Sequence, residues 1–413
     1  MRPGRGRPRA GVAGAVAVLA VACSLVAGCG AGPEATGVGA AGGGGSSISC
    51  PVPDGPIAVA VSGRANSPAP SLPPVAEQIV SNAVERVPIG GVGPRLTLVG
   101  IDGRPEPLGS LAFSPRSQND IAVGRERRTF LDSFRQSVAA VRAKAPEVDD
   151  LAALDVAARA ARDGAPAGTV VFVDSGLQTV DPLDFRQPGL LDADPVEVVD
   201  FLERTGAVPD LSGLTVIFVG IGDTAPPQEA LDVARRERLA ILWSEIAKAG
   251  GAACVHVDDA PRGGAAPTGV PRVGTVPVPP PPVADFTALG PTVLPDDGTV
   301  GFVPGRAVLR DPQAAAEVLR PFGDWLLADR DRRVELTGTT ARFGELGSQI
   351  ELATLRAEAI KQVLVDQGVD PAQITTRGVG SEFPEYVNDQ GSDGSLLPGP
   401  AAANRTVRID PSE

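Results

Sequence analysis

Five runs of apolar, β-rich residues mark the first 260 residues of the chain, and each is continuous rather than alternating. They are IAVAVS (57–62), RLTLVGID (95–102), TVVFVDS (169–175), LTVIFVGIGD (214–223) and ACVHVDD (253–259). A strand with one wet face alternates apolar and polar residues, so unbroken apolar runs call for strands covered on both faces. Helical patterns at 125–143, 149–162 and 227–249 fall between them. The expected fold class is α/β, with a doubly wound, mostly parallel sheet. Several runs end in a polar group: Ser62, Asp102, Asp174, Asp223 and Asp258. In a parallel sheet these converge at the carboxyl edge, where ligands bind. Taken singly, each aspartate is equally explained as a turn or a helix cap.

A second segment reads differently. TVGFV (299–303) is expected as a strand, followed by a helix capped by Asp311, with Pro312 at its first position and a kink at Pro321. RVELTG (333–338) is the next strand. Ser348-Gln349-Ile350-Glu351 reads as a capping box opening a helix that Gly368 stops. QITTRGVG (373–380) and RTVRID (405–410) complete the order βαβαββ, an α/β sandwich. On the second helix Leu352, Leu355, Ala359, Ile360 and Val363 form one apolar stripe, and Arg356 lies inside it. A guanidinium there needs a partner. The pattern alone fits a structural ion pair, a snorkelled side chain or a bidentate receptor for an anion.

The chain starts with a basic leader, an apolar run from Gly11 to Ala22 and small residues, the pattern of a signal peptide over 1–28. The run is too short to span a membrane. Val26-Ala27-Gly28 before Cys29 resembles the lipobox of bacterial lipoproteins, which implies that Cys29 carries acyl chains such as palmitate and ties the chain to a membrane surface. Cleavage would remove four arginines and no acid, taking the formal charge from −13 to −17. So acidic a chain is a poor ligand for nucleic acid. Residues 29–49 are Gly/Ser/Ala-rich and read as a flexible tether, and the Pro-rich 261–285 as a stiffer linker. Two domains remain, 50–260 and 286–413. Cys50 and Cys254 are the two unassigned cysteines, and in an oxidising compartment a disulfide is expected. Both lie at the amino edge of the sheet, within reach of each other. His256 is the only histidine. With no nucleophile–base pair and no convincing metal set, an enzyme, a metal site or a cofactor is not expected.

The first segment resembles a von Willebrand factor A domain in AVSGR, DLAALDVAARAA, VFVDSG and VIFVGIGD. That family's metal loop needs Asp-x-Ser-x-Ser; Ala60, Ser62 and Arg64 stand there instead, so the resemblance implies a metal-free binding or scaffolding module. The segment from about 299 to 410 resembles the OmpA-like peptidoglycan-binding domain, through Gln349, Leu352, Ala353, Arg356, Ala357, Ile360 and Leu364, then RGVGSEFP and NRTVRI. The resemblance implies that Arg356 grips the carboxylate of a diaminopimelate residue in the cell-wall stem peptide, with Thr339, Thr340, Gln349, Asn404 and Arg405 around it. The family's ammonium-binding aspartate falls at Ala341, so the resemblance leaves that role open, with Glu345 as a substitute. The expected protein is a non-catalytic, extracytoplasmic lipoprotein of the cell envelope, linking a membrane to peptidoglycan. Its rival is an envelope scaffold whose first domain binds a protein partner and whose second has lost cell-wall binding.

Overall fold

Six consecutive buried residues, Ile57–Ser62, form β1 in the middle of the larger sheet. β2 (Arg95–Ile101), β3 (Glu106–Ala112), β4 (Thr169–Val173), β5 (Thr215–Val219) and β6 (Cys254–Asp258) complete it in the order β3-β2-β1-β4-β5-β6. Every pairing is parallel except β2 with β3. The structure is a computed structural model and describes residues 48–279, 291–296, 298–303 and 305–412. The leader 1–28, Cys29, the tether as far as residue 47 and the linker residues 280–285 lie outside the described residues.

The unbroken apolar runs are explained by cover on both faces. Ile57, Val59 and Val61 point into a core closed by α1 (Pro74–Glu85) and α2 (Asp120–Ala139). Ala58 and Ala60 point the other way, with Phe172 and Phe218, under α3 (Asp150–Arg162), α4 (Pro195–Arg204) and α5 (Val233–Ala249). Trp243 of α5 is fully buried there and donates its indole N–H to the Gly176 carbonyl at 3.0 Å. The sheet is therefore doubly wound.

Three elements differ from expectation. β3 is an exposed antiparallel edge strand containing Pro and Gly, so no buried face marked it. α5 begins at Val233 rather than 227, because Asp232 caps it by accepting the Arg235 amide at 2.8 Å. The Pro-rich segment is not free at 261: Val273 and Val276 are buried in the first core, and Gln228 holds both backbone groups of Val276. At least through residue 279 it belongs to the first α/β layer.

Cys50 and Cys254 form a disulfide with Cα atoms 5.8 Å apart. β6 lies three strands from β1, so the bridge ties the entering chain to the sheet's far edge.

The second sheet holds β7 (Thr292–Pro295), β8 (Arg333–Thr339), β9 (Ile374–Gly380) and β10 (Thr406–Ser412) in the order β7-β10-β8-β9. β8 and β9 are parallel; β10 is antiparallel to both its neighbours. α6 (Pro312–Leu327) and α7 (Leu346–Asp366) cover it, and α8 (Pro398–Ala403) precedes β10. Asp311 caps α6 through the amides of Gln313 and Ala314. The expected strand at 299–303 is replaced by β7; Phe302 makes only an isolated bridge to Leu309. The capping box is also corrected. α7 starts two residues before Ser348, and its cap residue Glu345 makes no side-chain cap bond.

Candidate functional site

The buried stripe of α7 is Gln349, Ala353, Arg356, Ala357, Ile360 and Leu364, rotated from the one expected, and Leu355 is 45% exposed. Small residues set this rotation. A Cβ on Gly338 of β8 would lie 2.0 Å from the Ala353 carbonyl oxygen, and one on Gly378 of β9 would lie 2.4 Å from that of Ile350. Glycines therefore let α7 rest directly on the strands, and the helix turns its alanines inward. Arg356 is carried with them.

Arg356 is 2% exposed. Its Nε donates to the Arg306 carbonyl at 3.2 Å, and its guanidinium lies 5.2 Å from the centre of the Phe302 ring. Among the described residues nothing bonds its two terminal nitrogens, and no carboxylate pairs with it. Burial lowers its pKa and the negative charge of Asp296 opposes that; an arginine stays cationic regardless. A buried cation with unused donors is costly unless something else meets them.

Those donors line a cavity of about 930 Å³. Thr340, Gln349 and Arg405 share the wall with Arg356. The Thr340 hydroxyl and the Gln349 side-chain carbonyl are both buried without a hydrogen-bond partner, while the Gln349 amide donates to the Gly344 carbonyl at 2.9 Å. Donor, acceptor and cation thus converge on one empty volume. Glu345 stands on its rim, and Ala341 is buried in its wall.

Two expected residues are elsewhere. Thr339 donates its hydroxyl to the Asn404 carbonyl at 2.7 Å and receives the Thr406 amide at 3.0 Å, so it joins β8 to β10. Asn404 is fully buried, donates to the Val387 carbonyl at 2.6 Å and to Asp389 at 2.9 Å, and receives the Val387 amide. Asp389 in turn receives the Arg342 amide at 2.9 Å. These residues brace the loops around the cavity rather than line it.

The opposite wall was not foreseen. It comes from α4, with Glu197 and Asp200 facing the cavity. Glu197 pairs with Arg405 at 2.6 Å. The signal that marks α4 is Asp194-Pro195, a cap followed by proline at the first helical position; Asp194 accepts the Val196 amide at 2.9 Å.

The crest of the first sheet is already neutralised from within. Arg64 and Asp174 are fully buried and ion-paired, and Arg64 also donates to the Ser175 hydroxyl at 2.7 Å. Its Nε and its other terminal nitrogen have no partner among the described residues. Beside them Asp150 is fully buried; burial pushes its carboxyl well above the usual range, and the neighbouring Asp174 charge adds to this. Neither Asp150 oxygen has a hydrogen-bond partner among the described residues. Asp223 is held by Arg236 and by the Arg262 amide, Asp102 by the amides of Arg104, Lys144 and Ala145, Asp258 by that of Ala260. Ser62 bonds Ser67 at 2.9 Å. Among the described residues no group of three or more His, Cys, Asp or Glu side chains could hold a metal ion.

Residues 301–395, which include α6, α7, β8 and β9, match the model of the OmpA family, and this part of the chain is an OmpA-family domain. Among solved structures, the chain is similar to the peptidoglycan-associated lipoprotein from Burkholderia pseudomallei at 19% identity, covering 32% of this chain and 99% of that one with a TM-score of 0.24. It is similar to the periplasmic domain of Helicobacter pylori MotB at 19% identity, covering 30% and 81%, TM-score 0.24. An outer membrane protein from Borrelia burgdorferi is similar at 21% identity, covering 29% and 85%, TM-score 0.21. No curated protein matches the chain.

Proposed function

We propose that this protein is a non-catalytic component of the bacterial cell envelope that holds peptidoglycan in the cavity over Arg356. The observation that carries the reading is the buried guanidinium of Arg356 in the cavity wall, whose terminal nitrogens have no partner among the described residues. A fork of N–H donors suits the carboxylate of a stem-peptide residue such as diaminopimelate. The OmpA-family match over 301–395 supports the same reading. The leader and Cys29 add a lipid anchor on an extracytoplasmic membrane face, with the chain reaching from membrane to wall. No helix among the described residues is long and apolar enough to cross a membrane. The order of the larger sheet, with one antiparallel edge strand, suits a von Willebrand A-like module that binds an envelope partner without metal. Co-sedimentation of the mature chain with purified sacculi tests the reading. Binding that Arg356→Ala abolishes supports it; a wild-type chain left in the supernatant overturns it. Mass spectrometry of the mature N-terminus tests the anchor, which an unmodified residue other than Cys29 would refute.

A further inference from the structure

The cavity over Arg356 is lined by charges of both signs, and its two walls come from different sheets' layers. Arg356 and Arg405 stand on the wall formed by the second sheet's layer; the other wall is α4, with Glu197 and Asp200 and, one turn further on at its end, Arg204. Glu197 and Asp200 are three residues apart on a helix, so they share a face. Glu197 uses one oxygen on Arg405 and has its other free of protein bonds, and Asp200 makes no hydrogen bond or ion pair among the described residues.

The wall is fixed in place. A Cβ on Gly189, which sits at φ +79°, would lie 2.4 Å from the Gly399 carbonyl oxygen, and a Cβ on Gly399 would lie 2.7 Å from that of Pro188. Backbone therefore rests on backbone where the loop leading to α4 meets α8, and Ala402 of α8 packs into the first core. The second domain alone offers Ala341 beneath the cavity and no carboxylate deeper than rim Glu345. α4 makes good that lack.

We infer that the binding site is composite: α4 supplies Glu197 and Asp200 as the acceptors for an ammonium group, while Arg356 takes the carboxylate of the same zwitterionic ligand. This rests on the reading of the cavity as a stem-peptide site. Thr340 and Gln349, each with a buried unpartnered polar atom in the wall between, add a donor and an acceptor for the ligand's backbone. The site then selects a residue bearing both charges at one end, and neither domain forms it alone.

The test compares two soluble stem peptides by calorimetry on the full mature chain, one ending in diaminopimelate and one in 2-aminopimelate, which joins the peptide through its single amino group, keeps the terminal carboxylate and lacks the free ammonium. The wild type is expected to favour the first by about tenfold or more, the worth of one charge-assisted hydrogen bond. The isosteric Glu197→Gln/Asp200→Asn double variant is expected to lose that preference and bind the two peptides alike. Circular dichroism and an intact melting transition confirm its fold. A double variant that keeps the preference overturns the inference and leaves the Arg356 reading standing. Tighter binding by the double variant also overturns it, since Glu197 would then be obstructing Arg405. A wild type that binds neither peptide overturns both.

Discussion

Arg64 at the end of β1 closes on Asp174 at the end of β4, and neither side chain is reached by water. Its guanidinium stands over a crest of carboxylates as their built-in cation. Removing one partner of a buried pair strands the other charge, at about 3–5 kcal/mol. Arg64→Ala is expected to lose stability of that order in urea unfolding. A loss below about 1 kcal/mol would mean the pair is not what neutralises Asp174.

Asp150, next to that pair, gives a pH signature. Its native carboxyl titrates well above the unfolded value of about 3.9. The folded chain then holds a proton that the unfolded chain releases, so this group's contribution to stability declines as pH rises above about 4, until the native carboxyl itself titrates. Asp150→Asn removes the titration. The stability of the variant relative to wild type should rise by about 1.4 kcal/mol per pH unit over that window. Stability curves that run parallel from pH 4 upward would refute this.

Arg356 separates a structural role from a binding one. Its terminal nitrogens bond nothing among the described residues, so Arg356→Met is expected to leave stability unchanged or raise it by about 1–2 kcal/mol while sacculus binding is lost. A structural arginine would show the reverse: destabilisation on substitution.

The Cys50–Cys254 bridge closes a loop with a sequence separation of 204. Its removal by the double serine variant should lower stability by about 2–5 kcal/mol. Peptide mapping without reductant should recover the two cysteines in one linked fragment, and free Cys50 thiol would count against the bridge.

Gly338 tests how α7 is seated. Gly338→Ala forces a methyl toward the Ala353 carbonyl and is expected to cost about 1–3 kcal/mol, with weaker sacculus binding as Arg356 shifts. Wild-type stability would show that helix and strand have more room than the structure gives them.

What the sequence determined by itself was local or set by elimination. Five of the six strands of the first sheet were readable because an unbroken apolar run has one physical use, cover on both faces. Asp311-Pro312 announced α6, and Arg356 stood out on α7 because a charge in an apolar stripe is visible at helical spacing. The two cysteines were paired because nothing else was left for them. The rest depended on partners distant in the chain. β3 carries no buried face, and β7 exists because β10 pairs with it more than 100 residues later. The rotation of α7 follows from glycines on β8 and β9, and Val276 is core because Gln228 catches its backbone. The acidic wall is of the same kind. Nothing in the sequence sets Glu197 and Asp200 apart from other carboxylates, and the packing of Gly189 on Gly399 brings them across from Arg356. Period and capping are encoded within a few residues, whereas a site shared by two domains is decided by which surfaces fit.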